Sequence, residues 1–265
     1  MTAWLSAFSR RGFLQSSSLL LAQAGLSACQ APREANRFAK ADALIRQAIS
    51  KGECPGVVWG VGQHGKLIHR GVFGARSLVP EREAMTWDTV FDMASLTKPM
   101  ITALAVMQLV EKGLVDVDAP VARYLPQFAA AGKGQITVRL LLTHFSGLQP
   151  DLPRVPDWWG KAAATDRIMQ AVPKMPPGSG FIYSDLNFIT LGLLVETITG
   201  QTLDGYAQDK ILSPLGMKQS GFLPPAAEQV RIAPTQYDEH GHMLRGVVHD
   251  PTARRMDGVA GNAGL

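Results

Sequence analysis

Ser95-Leu96-Thr97-Lys98, followed much later by Tyr183-Ser184-Asp185, is the text on which the reading of this chain turns. Three residues along a helix rotate the side chain by about 300°, so Ser95 and Lys98 emerge on one face a turn apart and the amine can reach the hydroxyl. A serine hydroxyl is a poor nucleophile until a base takes its proton. Lysine serves when its amine is neutral, and both burial and the positive end of a helix disfavour the ammonium form. Alone the motif is weak, because roughly one Ser-x-x-Lys is expected by chance in a chain this long, and a capping serine beside a solvated lysine fits it as well. Tyr183 lies between Pro176-Pro177-Gly178 and a helix opening at Leu186-Asn187-Phe188. A tyrosine aimed from such a loop can share proton transfer with Lys98; the plainer alternative is a half-buried aromatic with a hydrogen-bonded hydroxyl.

Working outward, Leu96 to Lys112 is a run of helix formers closed by Gly113, with Pro99 tolerable in the first turn, which places Ser95 at a helix N-terminus. Upstream, Phe38, Ala41, Leu44, Ile45, Ala48 and Ile49 recur at helical spacing before Gly52, and Val57–Val61 and Lys66–Val72 flank His64-Gly65 as a hairpin. Downstream, helical patterns run over Val138–Thr143, Asp185–Thr199 and Leu203–Leu212, with proline-rich loops at Pro150–Trp159 and Pro173–Gly180. The order is helix, hairpin, then a mainly helical middle.

Ser-x-x-Lys followed some ninety residues on by a Tyr-x-Asn variant resembles the class C β-lactamases, D-alanyl-D-alanine carboxypeptidases and related serine esterases. Asp118-Ala119-Pro120-Val121, Tyr124-Leu125-Pro126, Ile136 to His144 with Ser146-Gly147-Leu148, and Pro214-Leu215-Gly216-Met217 carry the same resemblance, over roughly residues 37–265. It implies an α/β (α+β) fold of the β-lactamase and transpeptidase type: an α/β lobe built from both ends of the chain, an inserted helical lobe, and a site in the crevice between them. It also implies a serine hydrolase of an ester or amide, esterase or carboxypeptidase-like. Ser95 would attack a carbonyl, Lys98 and Tyr183 would move its proton, and the Ser95 N–H would supply one oxyanion donor. Other readings are β-lactamase activity and a non-catalytic module with a cell-wall or ligand-binding cleft. In this family the stretch around His144 shapes a turn, so His144 is not expected to act as the base.

Two departures qualify the resemblance. Asp185 stands where many members carry asparagine, and a carboxylate cannot donate to a substrate carbonyl unless protonated; Asp185 and Asn187 are accordingly the tentative substrate-binding residues. The third motif, Lys or His followed by Ser or Thr and Gly, does not occur in the sequence. In relatives it lies on a strand that also carries the second oxyanion donor, so the expectation is a domain without its C-terminal strands and helix, a fragment of a longer protein.

The composition sets outer bounds. Of 265 residues, 46% are hydrophobic and 18% charged, an ordinary globular balance. The net charge of +4 includes Arg10 and Arg11 in the leader, and so offers no electrostatic case for a nucleic-acid partner. His240, His242 and His249 form no persuasive zinc spacing, and no metal or organic cofactor is implied. The expected partner is a small ester, amide or peptidoglycan-related peptide.

At the N-terminus, Ser9-Arg10-Arg11-Gly12-Phe13-Leu14 precedes a weakly apolar stretch ending in Leu26-Ser27-Ala28-Cys29. This resembles a twin-arginine export signal over residues 1–28 with a lipobox whose Cys29 becomes lipidated, followed by a polar tether over residues 29–36 and a domain over 37–265. A periplasmic or cell-envelope location follows, with a membrane tether through Cys29. Replacing Arg10 and Arg11 with lysines is expected to trap the protein in the cytoplasm in fractionated cells, and Cys29→Ala to abolish labelling by a fatty-acid probe. Unchanged export or labelling would refute the corresponding half of this reading.

Overall fold

His64 and Gly65 both take positive φ, 50° and 71°, the backbone that a two-residue hairpin turn demands. In the computed structural model, which describes residues 37–265, they join β1 (Gly56–Gln63) to β2 (Lys66–Ser77). The expected leader, Cys29 and tether lie outside the described residues. The hairpin is in antiparallel register from Gly56 opposite Gly74 to Gln63 opposite Lys66, with an irregularity at Val61/Gly62. A short β3 (Glu83–Ala84) pairs with the far end of β2, giving the order β1-β2-β3. Trp59 is held where Gly71 leaves room: a Cβ on Gly71 would fall 2.0 Å from the Trp59 ring nitrogen.

The chain divides into two units, one ending at Ile45 and one spanning Arg46–Leu265. The first helix, α1 (Ala39–Ser50), runs across that boundary, matches the expected amphipathic segment and ends before Gly52 at φ 75°. No residue of α1 is fully buried.

Within the second unit the core is helical. It gathers Ile101, Leu109, Phe128, Ile136, Leu141, Ile168, Leu186, Leu191 and Tyr206, among others, from α2 (Leu104–Glu111), α3 (Val138–Leu142), α4 (Lys161–Gln170), α5 (Asp185–Thr199), α6 (Leu203–Ala207) and the turns between them. Nine of the fifteen residues of α5 are buried, so this helix is apolar on nearly every side and forms the axis of the unit. Lys133 is also fully buried, its Nζ donating to the carbonyls of Ala130, Met169 and Ala171, each at 2.8 Å. Burial pulls its pKa down to about 8.

The expected helix over Leu96–Lys112 is not continuous. A 3-10 turn at Ala94–Leu96 leads into a π-helical stretch, Lys98–Ala103, before the regular α2. Pro99 has no N–H to give the Ser95 carbonyl, so a regular first α-helical turn is unavailable, and a wider turn takes its place, as often happens at functional sites. The Leu203–Leu212 segment likewise splits into α6 and a π-helical turn at Gln208–Leu212. No described helix is long and apolar enough to cross a membrane.

The segment Val259–Leu265, which follows α7 (Pro251–Arg255), crosses α5 at backbone distance. A Cβ on Gly261 would lie 1.9 Å from the Phe188 carbonyl oxygen, and one on Gly192 would lie 3.1 Å from the Gly261 Cα. Two glycines at this crossing let the segment reach the helix that carries Ser95. Gly261→Ala is therefore expected to lower the unfolding free energy by about 2–3 kcal/mol, read from urea melts, and Gly192→Ala by clearly less. Equal costs would show that the crossing is not the tight point.

Candidate active site

Ala94, with φ 45°, turns the chain sharply just ahead of Ser95. A left-handed alanine is strained and persists only where its neighbours hold it. Here Asp92 Oδ1 accepts the Ala94 N–H at 2.7 Å, while Asp92 Oδ2 accepts the His249 N–H at 2.7 Å. The last residue of the chain braces the same turn: Met93 N–H donates to the Leu265 carbonyl at 2.9 Å, and Leu265 N–H donates to Thr97 Oγ1 at 3.1 Å. Ser95 is exposed at the tip of this construction, with Thr97 and Lys98 buried behind it.

Lys98 occupies the centre. Its Nζ donates to Ser95 Oγ at 2.8 Å and to the Asn262 carbonyl at 3.2 Å. It forms an ion pair with Asp185 Oδ1 at 2.6 Å, an oxygen that makes no directed hydrogen bond. It also lies over the ring of Tyr183, 5.0 Å from the centroid. Thus Ser95, Lys98, Tyr183 and Asp185, drawn from two motifs almost ninety residues apart, meet in one place. Tyr183 presents its ring face to the ammonium and is half-exposed.

The Tyr183-Ser184-Asp185 stretch is fixed from outside. Asp185 N–H donates to the Pro150 carbonyl at 2.7 Å and Ser184 Oγ to the Gln149 carbonyl at 2.6 Å. The loop before it runs against the turn after α3: Lys174 N–H donates to the Gly147 carbonyl and Gly178 N–H to that of Phe145. Gly147, at φ 77°, permits this approach, since a Cβ there would lie 2.2 Å from the Met175 carbonyl oxygen.

Electrostatics around Lys98 are acidic. Burial holds the Asp185 carboxyl above the usual aspartate range, against the pull of the Lys98 ammonium, and the charges of Asp250 and Asp151 push in the same direction as burial. Asp250 Oδ1 caps α7 by accepting the Ala253 N–H at 2.7 Å and also accepts from Asn262 Nδ2 at 3.2 Å. Asp151 Oδ1 accepts from Thr252 Oγ1 at 2.6 Å.

Two tentative assignments change. Asn187, expected as a donor to substrate, is fully buried, with its Oδ1 accepting from Ser146 Oγ at 2.6 Å and its Nδ2 facing His144 Nδ1 at 3.1 Å. Two residues past Asp185 on a helix, it points into the core. Asp185 is spent first on Lys98. Sequence reasoning missed Asp92, Asp250 and the Asn262 carbonyl; Asp250-Pro251 is a legible helix-start signal, whereas nothing in Gly261-Asn262-Ala263-Gly264 announces a carbonyl aimed at Lys98. Among the described residues no group of three or more His, Cys, Asp or Glu is placed to hold a metal. A cavity of about 480 Å³ is bounded in part by Asp92 and Leu265, which brace the Ser95 turn, and Ser95 itself does not line it.

Comparison with known proteins shows the family. An esterase of Burkholderia gladioli, EstB, is 36% identical over 80% of this chain and 57% of its own length. An N-acetylmuramyl-L-alanine amidase of Bacillus subtilis is 32% identical over 96% of this chain and 65% of its own. The chain thus spans 57% and 65% of the length of these two relatives. The structure of EstCE1, described as a hydrolase with promiscuous acyltransferase activity, superposes with a TM-score of 0.67 at 26% identity, covering 86% of this chain and 68% of that one. The Beta-lactamase family model matches residues 41–265, which include every residue of the Ser95 cluster, and the chain is a member of the β-lactamase family of serine hydrolases, with their fold.

Proposed function

We propose that this protein hydrolyses carboxylic esters through an acyl-enzyme on Ser95. The observation that carries the reading is Lys98 Nζ, buried and set between Ser95 Oγ at 2.8 Å and Asp185 Oδ1 at 2.6 Å, with Tyr183 against it. Ser95 Oγ adds to the ester carbonyl carbon as its proton leaves for Lys98 or Tyr183; the proton then passes to the departing alkoxide as the carbon–oxygen bond breaks. Water repeats the sequence on the acyl group and restores the Ser95 hydroxyl. The Ser95 N–H, at the start of a helical stretch where backbone donors lack intrahelical partners, is the proposed first oxyanion donor.

Lys98 accepts a proton only when neutral. Burial raises the pKa of Asp185, so this carboxyl, 2.6 Å from the Lys98 Nζ, holds a proton more readily than an exposed aspartate does. Asp185 is the proposed acceptor of the proton that Lys98 must lose before it can act as a base.

The same charges favour a neutral substrate. Asp185 pairs with Lys98 and feels the charges of Asp151 and Asp250, so a substrate carboxylate beside Asp185 meets like charge. This supports an ester over a β-lactam or a peptide ending in D-alanine, both of which carry that carboxylate. The amidase and esterase relatives support a hydrolase of esters or amides, and residues 1–28 support an enzyme acting in the cell envelope.

Ser95→Ala is expected to abolish labelling by a fluorophosphonate probe in the whole protein; label retained on another serine would refute the nucleophile. Asp185→Asn is expected to raise kcat/KM for a carboxylate-bearing cephalosporin, relative to a neutral nitrophenyl ester, by on the order of 10-fold, the effect of removing about 1.4 kcal/mol of like-charge repulsion. An unchanged ratio would remove the electrostatic ground for preferring neutral esters.

A further inference from the structure

His144 is the residue to which both backbone N–H groups flanking Tyr183 are tied. Its carbonyl oxygen accepts the Ile182 N–H at 3.0 Å, and its ring Nδ1 accepts the Ser184 N–H at 3.1 Å. The tyrosine between them is therefore held from both sides by one residue. His144 has φ 61°, so the chain turns left-handed there; its main chain and side chain both hold the Ile182–Ser184 segment.

The tautomer follows from the partners. Ser184 N–H is a backbone donor and cannot be exchanged for an acceptor, so Nδ1 must offer its lone pair and the neutral ring carries its proton on Nε2. Asn187 agrees: its Oδ1 takes the Ser146 hydroxyl proton at 2.6 Å, leaving Nδ2 toward His144 Nδ1 at 3.1 Å. Burial first, and the Lys98 charge second, hold the imidazole below the usual histidine pKa, which keeps the accepting form in place. Ser146 Oγ in turn accepts the Leu148 N–H at 3.1 Å, so the chain of hydrogen bonds is anchored in backbone at both ends.

The ring also packs where it constrains the phenol. Its centroid lies 4.5 Å from that of Tyr183 at 33°, 5.2 Å from Phe188 at 38°, and 5.9 Å from Phe181 at 73°. Phe188 belongs to buried α5, so the imidazole bridges a rigid helix to the half-exposed tyrosine.

We propose that His144 is a positioning residue of the hydrolytic site, which holds Tyr183 against Lys98 through the Ser184 N–H and the stacked rings and takes no proton itself. The proposal rests on the reading of Tyr183 as a proton-transfer group. The sequence already set histidine aside as the base; the structure gives it a different task.

The test is a double-substitution cycle in the whole protein with a neutral nitrophenyl ester. His144→Phe keeps a ring and loses the acceptor, and is expected to lower kcat at least 10-fold with KM within 2-fold. In a Tyr183→Phe background the same change is expected to cost less than 2-fold, because the group it positions has already gone. His144→Asn, whose Oδ1 can stand where Nδ1 stood and whose backbone tolerates a left-handed turn, is expected to recover most of kcat, and it serves as the folded control if His144→Phe does not fold. The second readout is independent of turnover: the Cζ resonance of Tyr183 in protein carrying labelled tyrosine, assigned by its loss in Tyr183→Phe, should shift in His144→Phe and return toward the native position in His144→Asn. Additive losses in the cycle, or a Tyr183 resonance unmoved by His144→Phe, would overturn the proposal. If Tyr183→Phe keeps full turnover, the proton-transfer role of Tyr183 fails, and the resonance alone then decides whether His144 positions that ring.

Discussion

An ammonium out of water must be surrounded, and the buried Lys98 is the demand around which the rest of this protein is arranged. An unpaired buried charge costs several kcal/mol, and removing one partner of a buried pair typically costs about 3–5 kcal/mol. Lys98 has four neighbours from three parts of the sequence: Ser95 on its own turn, Tyr183 and Asp185 at the head of α5, and the Asn262 carbonyl from 164 residues away. Satisfying that one cation therefore fixes the crevice. The buried α5 supplies the wall, and the glycine crossing at Gly192 and Gly261 brings the Asn262 carbonyl within reach.

Ser95 and Tyr183 are placed by the same physical device. Ser95 sits in a turn bracketed by the two backbone hydrogen-bonding groups of Leu265, with Asp92 holding the strained Ala94. Tyr183 sits in a stretch bracketed by the carbonyl and the ring nitrogen of His144. In each case one residue distant in sequence makes one hydrogen bond on each side of the bracketed residue, so its backbone is restrained while its side chain stays accessible. Sites held by such supporting contacts keep their geometry where a free loop would not.

The sequence carried the elements with local causes. The hairpin was legible because His64-Gly65 is turn chemistry between two apolar runs, α1 because of its spacing and Gly52, and α5 because a helix must open after the proline loop and close at Gly200. The meeting of Ser95 and Lys98 was legible because a serine and a lysine one turn apart share a helix face, and the structure brings Tyr183 to them. The break at Pro99 was misjudged because a proline tolerated in a first turn still removes a donor. Asn187 was misassigned because two positions along a helix point a side chain some 200° away from Asp185, here into the core. The Asn262 carbonyl, the Leu265 brace and the Asp92 link were invisible because they join residues through backbone groups that every sequence possesses.

Asp185 shows why the fold alone does not settle the chemistry. An asparagine there would offer a neutral amide that can donate to a substrate carbonyl; the carboxylate instead pairs with Lys98, while burial opposes its ionisation. On the proposed mechanism the exchange gives up a donor to substrate and gains a proton acceptor beside Lys98. It also adds a negative charge to those of Asp151 and Asp250 nearby. On the proposed ester hydrolysis, a substrate that relied on its own carboxylate for recognition is disfavoured, whereas a neutral ester needs only the Ser95 hydroxyl and an oxyanion donor. Under that proposal, specificity within one architecture can turn on a single amide-to-acid difference, provided that the acid is buried against the lysine beside Ser95.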